Sequence, residues 1–361
     1  MNERKFMAGS AALSEAAIGA GCRFYSGYPI RPITDVEEHM IARLEELEGG
    51  AGVAAASELE AITMVAGAAA GGTPSMTASS GTGLSLMQET MATAGAGGFP
   101  IVVVNGTRFV MQSDYHQSVK GGGHGDYRVI VVAPSTIQEI VDLTHLAFQL
   151  AWKYRHPALI LLDAYLLQAS ETVELKEVEP VAAVAPGWAV TGGRAGRPRV
   201  RFGSGEVPDN DEDRWSGNPV MNRRLAEIAA NEKRFAAGQT EDADLLIAAY
   251  GSVSQSVETA VAELRTEGAS VGYFRPITLW PFPEEALRER AKAAGRVLCV
   301  ELNQGQMVED VRAIVGGAAT VHSLAGDGDV PAGFGKLWSP AAIVDRAREV
   351  LKSPDREGAL A

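Results

Sequence analysis

The runs "IVVVNG" (101–106) and "RVIVVA" (128–133) hold four and five consecutive apolar residues, with polar residues only at one end of each. A strand with one wet face alternates apolar and polar residues. A strand with no polar face must be covered on both sides, which is the situation of a parallel sheet wrapped by helices. Other strand-like runs are "CRFYSG" (22–27), "SMTASS" (75–80) and "ALILLD" (158–163), and later "DLLIAAYG" (244–251), "ASVGYFRP" (269–276), "RVLCVELN" (296–303) and "ATVHSLA" (319–325). Helical periodicity fills 8–20, 34–48, 58–71, 83–96 and 136–153. Strands alternating with helices predict an α/β fold with two doubly wound parallel-sheet domains.

A length of 361 residues suits two domains. The first is read as 1–170 and the second as 241–361. Between them, 171–240 is rich in Pro, Gly and charge and has no clear period, apart from one amphipathic helix at 221–237. In doubly wound sheets, ligands bind beyond the carboxyl ends of the strands. The loops to watch are therefore "GYPIRPITD" (27–35), "SSGTG" (79–83), "NGTRFVMQSDYH" (105–116), "YGSVSQS" (250–256) and "ELNQGQM" (301–307).

The net charge is −13 and no dense basic stripe occurs, which argues against nucleic acid as a partner. The one basic run, "GGRAGRPRVRF" (192–202), is Gly-rich and reads as a solvated loop. Cys22 and Cys299 are isolated from each other, which excludes a disulfide scaffold and fits a reducing, cytoplasmic setting. No signal peptide or membrane-spanning run is expected. His39, His116, His124, His145, His156 and His322 show no metal spacing, so no metal site is expected in this chain. His145 and His156 read as structural, whereas His116 and His124 lie in a candidate site loop.

Glycine is abundant, at 40 residues, yet neither G-x-G-x-x-G nor G-x-x-x-x-G-K-[ST] is complete. "GGGHGD" (121–126) lacks the Lys-Ser/Thr end of a phosphate loop and reads as a flexible or tightly packed connection. "AGDGD" (325–329) resembles a thiamine diphosphate metal motif, but no Asn follows Asn303, so it reads as an acidic turn. "SSGTG" opens a helix, where free N–H groups favour a polar or anionic ligand group or serve an ordinary cap. Most unusual is "AAASELEAITMVAGAAAGG" (54–72), a segment built for burial with Glu58 and Glu60 near its start. A buried carboxylate is costly unless it is paired, hydrogen-bonded or protonated, so one of the two is expected to have a task.

The segments "FYSGYPIRP", "ASELEAI", "SSGTGLSLMQE", "QSDYHQSVKGGGHGDYRVIVVAPS" and "YFRPITLWPFPEEALRE" with "VELNQGQMVEDVR", in this order, closely resemble the alpha-type subunits of 2-oxoacid:ferredoxin oxidoreductases. The likeness is best to the 3-methyl-2-oxobutanoate (branched-chain) type. It covers roughly 8–170 and 240–350. It implies a first domain like the pyrimidine-binding domain of thiamine diphosphate enzymes and a second like the transketolase carboxyl-terminal domain. It also implies anaerobic oxidative decarboxylation of a 2-oxoacid, with coenzyme A as co-substrate, to an acyl-coenzyme A. A beta subunit is implied to carry the diphosphate and magnesium. Gamma and ferredoxin-like subunits complete the complex. Iron–sulfur clusters, and in some complexes FAD, belong to these partners and not to this chain. The electron acceptor is ferredoxin or an NAD-linked flavin subunit.

The resemblance gives the residues roles. Glu58 matches the glutamate that faces the aminopyrimidine ring, where a carboxyl group on the ring nitrogen favours the imino tautomer that takes the thiazolium proton. Glu60 matches no such residue. Arg108 matches an arginine holding the substrate carboxylate by its planar fork. Tyr28 and Pro29 match a loop lining the thiazolium and substrate, and Ser80 and Gly81 fall at the cofactor side. Asp114 and His116 belong to the substrate loop. Two features depart from the family pattern. Arg31 stands where the family has threonine, and only "FVM" (109–111) remains of a longer loop. Both lie on the substrate side. Arg31 is expected to donate to the 2-oxo oxygen, with Asp114 or a beta-subunit acid neutralising the second guanidinium. A shortened loop would admit an aryl group such as that of phenylglyoxylate. Alternatives are an oxalate-type oxidoreductase subunit, a non-catalytic assembly or electron-transfer subunit, and a nonoxidative transketolase-like enzyme.

Overall fold

The computed structural model describes residues 3–108, 111–181, 188–190, 219–332 and 335–353. The basic run at 192–202 and about half of the segment read as a linker lie outside these residues. The first sheet contains β2 (Phe24–Gly27), β3 (Ala51–Ala54), β4 (Ser75–Ser79), β5 (Ile101–Thr107), β6 (Ile130–Val132) and β7 (Ala158–Asp163). Their order is β6-β7-β5-β4-β2-β3, all parallel. The chain moves outward from β2 to β3, then crosses back to β4 and continues the other way. The strand order therefore reverses between β2 and β4, where a crevice opens at the carboxyl ends. Strands β4, β5, β6 and β7 are buried at every position, as the apolar runs of the last three require; β4, "SMTAS", is buried although it is partly polar.

Helices α1 (Gly9–Gly19), α2 (Thr34–Glu45) and α6 (Ile137–Tyr154) cover one face of this sheet, and α3 (Glu58–Ala70) and α4 (Gly81–Gly97) the other. A short helix, α5 (Tyr115–Val119), follows β5, and α7 (Ala164–Gln168) follows β7. At the amino terminus, β1 (Glu3–Ala8) pairs antiparallel with β8 (Ser170–Leu175) in a separate two-stranded ribbon.

Helix α8 (Pro219–Asn231) is shorter than the 221–237 expected from periodicity. It ends because Glu232 is drawn into a buried cluster with Lys153, Tyr154 and Arg234, and β9 (Phe235–Gly238) then pairs with the second sheet. That sheet has the order β14-β13-β10-β11-β9, with β10 (Leu245–Ala248), β11 (Val271–Pro276), β13 (Arg296–Val300) and β14 (Thr320–Leu324) parallel and β9 antiparallel. Helices α9 (Val253–Thr266) and α12 (Pro340–Lys352) pack on one face. Helices α10 (Glu284–Ala294) and α11 (Met307–Val315) pack on the other.

The two halves share a core. One apolar cluster runs from Leu84, Met87 and Val131 to Leu246, Phe274 and Met307. Strand β12 (Thr278–Trp280) leaves the second half and pairs antiparallel with β6, becoming the edge of the first sheet. A buried bidentate pair, Arg275 to Glu139 at 2.9 and 2.6 Å, also crosses the boundary. The acidic turn at 325–329 leads into β15 (Val330–Pro331), which pairs with β16 (Lys336–Leu337). Its Asp329 accepts the backbone N–H and hydroxyl of Ser339, the residue capping α12. Among the described residues, no helix is long and apolar enough to cross a membrane.

Candidate active site

Most of the residues singled out in the sequence stand at the carboxyl ends of β2, β3, β4 and β5, around the strand-order reversal. Tyr28, Pro29 and Arg31 follow β2. Glu58 opens α3 just beyond β3. Ser80 and Gly81 follow β4, and Arg108 follows β5.

The two carboxylates of "SELE" have separate tasks. Ser57 caps α3 by accepting the Glu60 N–H at 3.2 Å, and Glu60 reaches back to the Ala56 N–H at 2.8 Å. This pattern resembles a capping box, shifted so that Glu60 takes the N–H just before the N-cap, and it explains Glu60 as a local stabiliser of the helix start. Glu58, one residue into the helix, turns inward and is 7 % exposed. Its carboxyl group faces the first turn of α4. A Cβ placed on Gly83 would lie 2.7 Å from Glu58 Oε1 and 2.0 Å from Ser79 Oγ. Only glycine leaves this space. Ser79 and Ser80 hydroxyls are buried beside it, and neither has a hydrogen-bond partner among the described residues. Buried orphan hydroxyls are costly, so this is a place where a polar ligand group has donors and acceptors waiting.

Gly81 faces a second carboxylate. Asp114 places both carboxyl oxygens 3.1 Å from where a Gly81 Cβ would be. It accepts the Gly81 N–H and the side-chain amides of Gln117 at 2.9 Å and Asn105 at 3.3 Å. Burial pushes the Asp114 carboxyl above its ordinary value, against the pull of these three donors. The helix N-terminus expected to offer Gly81 to a ligand thus spends that N–H on Asp114, and Ser80 makes no side-chain cap. Asp114 makes its side-chain hydrogen bonds with Gln117 and Asn105, and among the described residues it forms no ion pair with Arg31.

Arg31 and Arg108 stand on segments that meet near the end of β5. Pro32 and Ile33 lean on the end of β5, where a Cβ on Gly106 would lie 2.5 Å from Ile33 Cγ2 and 3.6 Å from Pro32 Cγ. The loop bearing Arg31 is thereby seated beside the strand that delivers Arg108. Both arginines are exposed, and among the described residues neither has an ion pair or hydrogen bond. Tyr28, 37 % exposed, and Pro29 complete the open side. Residues 109 and 110 of the shortened loop lie outside the described residues.

His116 is placed elsewhere than the sequence suggested. Its backbone N–H donates to Gln306 at 2.8 Å and its imidazole lies 3.5 Å from Glu309 of α11, so it faces the second half of the chain. His124 is exposed at the tip of a loop whose glycines are structural, since a Cβ on Gly123 would meet the Gln88 carbonyl at 2.5 Å. His156 is buried with Nε2 2.6 Å from the Arg128 carbonyl oxygen, and burial pushes its imidazole down to about 3. Among the described residues no three His, Cys, Asp or Glu side chains gather in a metal-holding group. A cavity of about 500 Å³ between the halves is lined by Lys120, Trp280, Phe282, Arg288 and Asp310 among others, and by none of the predicted site residues. Gly83 and Ser79, which lie against Glu58, were not singled out one by one in the sequence, although "SSGTG" contains Gly83 and Ser79 begins that stretch.

Residues 15–195 match the family described as pyruvate flavodoxin/ferredoxin oxidoreductase, thiamine diphosphate-binding, and residues 243–331 match pyruvate:ferredoxin oxidoreductase core domain II. The chain is 41 % identical to the ketoisovalerate oxidoreductase subunit VorB of Methanothermobacter thermautotrophicus, over 84 % of this chain and 88 % of that one. It is 35 % identical to the 2-oxoglutarate synthase subunit KorA of Methanothermobacter marburgensis, over 96 % of this chain and 99 % of that one. Among solved structures, the 2-oxoglutarate:ferredoxin oxidoreductase from Magnetococcus marinus, with 2-oxoglutarate, coenzyme A and succinyl-CoA bound, superposes with a TM-score of 0.82 at 26 % identity. That match covers 97 % of this chain and spans 65 % of the solved one. A split-gene transketolase shares the fold, with a TM-score of 0.59 at 14 % identity, covering 96 % of this chain and 99 % of that one. The chain belongs to the alpha-type subunits of the 2-oxoacid:ferredoxin oxidoreductases.

Proposed function

We propose that this chain acts in the coenzyme A-dependent oxidative decarboxylation of a 2-oxoacid, with Glu58 bonded to the pyrimidine ring of thiamine diphosphate. The observation that carries this reading is the buried Glu58 carboxyl group facing the space that Gly83 leaves open, beside the orphan Ser79 and Ser80 hydroxyls. The residues fit the ring: one carboxyl, two hydroxyls and a glycine surface at a strand-order reversal. The cofactor when bound supplies a nucleophilic carbon for attack on the 2-oxo group. Glu58 holds a proton at the ring nitrogen, and the surrounding core excludes water from it. Arg108 binds the substrate carboxylate through its fork, and Arg31 donates toward the 2-oxo oxygen. Tyr28 and Pro29 line the approach.

The diphosphate and magnesium belong to a beta subunit in this reading. Gamma and ferredoxin-like subunits, with ferredoxin or an NAD-linked flavin subunit, carry electrons onward from a cytoplasmic complex. The substrate is a branched-chain 2-oxoacid such as 3-methyl-2-oxobutanoate, or an aryl one such as phenylglyoxylate. The 41 % identity to a ketoisovalerate subunit supports the branched-chain choice. A second reading, 2-oxoglutarate, is favoured by the free Arg31 guanidinium, which suits a second substrate carboxylate, and by the KorA relatives.

The test is Glu58→Gln in the assembled complex. An amide cannot hold and pass the proton, so turnover falls by about 10²–10⁴ while assembly persists. Glu60→Gln, which touches only the cap, keeps turnover near wild type. Full activity in Glu58→Gln overturns the assignment.

A further inference from the structure

The segment "QSDYH" (112–116) lies between β5 and α5 and is held almost entirely by the second half of the chain. The Gln112 backbone N–H donates to the Leu302 carbonyl oxygen at 2.8 Å, and its own carbonyl oxygen accepts from Tyr250 Oη and Asn303 Nδ2, each at 3.1 Å. Its side chain donates to the Tyr250 carbonyl oxygen at 2.6 Å and accepts the Leu302 N–H at 3.0 Å. Gln306 takes the next grip, on the Ser113 carbonyl oxygen and the His116 N–H, both at 2.8 Å. Tyr115 Oη donates to Asp310 at 2.8 Å. Only Asp114 looks back, to Asn105, Gln117 and Gly81.

The receiving loop is itself rigid. Buried Glu301 accepts the N–H groups of Gln306, Met307 and Val308 at 2.8–3.1 Å, and Asn303 Oδ1 accepts those of Gly305 and Gln306. On the other side, Thr107 at the end of β5 donates its hydroxyl to the Met111 carbonyl oxygen, closing the base of the short loop that starts at Arg108. Arg108 thus follows a residue, Thr107, that is tied through its hydroxyl to Met111, the neighbour of Gln112. Gln112 is 3 % exposed, and every polar group it owns is spent on the second half of the chain.

We propose that the second domain sets the substrate site through Gln112, a positioning residue that fixes Arg108. The inference rests on the reading of Arg108 as the carboxylate-binding residue. Gln112 touches no substrate; it decides where the Arg108 fork points. A displacement of about 1 Å in a binding group far from the reacting bond can cost 10²-fold, so the effect should be large for a residue that only adjoins the site.

The experiment compares Gln112→Met, Tyr250→Phe and Arg108→Ala in the assembled complex. The readouts are KM for the 2-oxoacid, KM for coenzyme A, kcat, and hydrogen–deuterium exchange at the thiazolium carbon of bound thiamine diphosphate. Gln112→Met keeps the side-chain length and removes both amide bonds. Its 2-oxoacid KM is expected to rise about tenfold or more. Its kcat, coenzyme A KM and carbon–hydrogen exchange stay near wild type. Tyr250→Phe removes one bond to the Gln112 carbonyl and should give a smaller rise of the same kind. A Gln112→Met complex with wild-type 2-oxoacid KM overturns the inference, as does a fall in kcat and exchange without a KM change, which marks a general structural role. If Gln112→Met does not assemble, Tyr250→Phe decides, and an unchanged KM there overturns it. Arg108→Ala separates the two claims. A raised KM in Arg108→Ala with unaffected Gln112 variants sinks the positioning role alone, and an unaffected Arg108→Ala sinks the carboxylate reading with it.

Discussion

Gly83→Ala puts the active-site reading under strain in a way that can be worked from the structure. At most interior helix positions, alanine is favoured over glycine by about 1 kcal/mol. Gly83 sits in the first turn of α4, so propensity alone predicts a stabilised protein. The added Cβ, however, would lie 2.0 Å from Ser79 Oγ and 2.7 Å from Glu58 Cγ and Oε1. Ser79 is fully buried and has little room to turn away. Overpacking of this kind costs about 1–3 kcal/mol, so the two effects roughly cancel in stability or tip slightly against it. Activity has no such offset. The carboxyl group must move out of the space it shares with Gly83, and turnover should fall by about 10²–10⁴, as for outright loss of the proton-holding group. The assay is steady-state oxidation of the 2-oxoacid by the assembled complex, beside thermal unfolding of the same sample. Gly83→Ala with near wild-type kcat refutes the argument. The double variant Ser79→Ala/Gly83→Ala relieves the closest contact and leaves the one with Glu58. If it restores full activity, the glycine serves Ser79 and not Glu58.

Arg31→Thr should change the ranking of 2-oxoacids, with dicarboxylate and aryl substrates losing most relative to branched-chain ones; unchanged relative kcat/KM values across a panel would mean that Arg31 contacts no substrate. A pH prediction concerns Glu15, whose carboxyl is held at about 2, against an ordinary 4.5, chiefly by its hydrogen bond with His39 and then, against the cost of burial, by Arg43. A folded value below the unfolded one adds stability that is present above about 4.5 and lost as pH falls toward 2. The stability gap between wild type and Glu15→Gln should therefore shrink over that window in acid denaturation, and a constant gap would refute it.

How much of this was legible in the sequence follows from which forces act locally. The strands buried on both faces announce themselves, since "IVVVNG" and "ALILLD" have nowhere to go but a sheet interior. Strands β3, β9 and β12 are short, at an edge or half-exposed, and carry no such pattern; "AGVA" of β3 is exposed at both ends. Periodicity ran the α8 helix on to 237 because "EKRFAA" continues an amphipathic pattern, while the actual stop is set by distant partners of Glu232. That a carboxylate is buried in this stretch was legible, because it contradicts a segment of alanine and glycine, but choosing Glu58 over Glu60 took the family resemblance. Gln112 was not, because its partners lie 138 and 190 residues away and nothing nearby marks it as buried. Asp114 looked free for Arg31 because the sequence does not show that Asn105, Gln117 and the Gly81 N–H converge on it.

The position of β12 has a consequence for how the chain comes off the ribosome. The β6 edge carries "IVV", three buried residues whose outer neighbour, Thr278–Trp280, is made well over a hundred residues later. Until that stretch emerges, the nascent first half displays an apolar, unpaired edge, the kind of surface that recruits foreign strands. A chain divided near residue 240 would keep that edge open until the second piece docked, whereas here the partner strand β12 follows on the same polypeptide and needs no separate encounter.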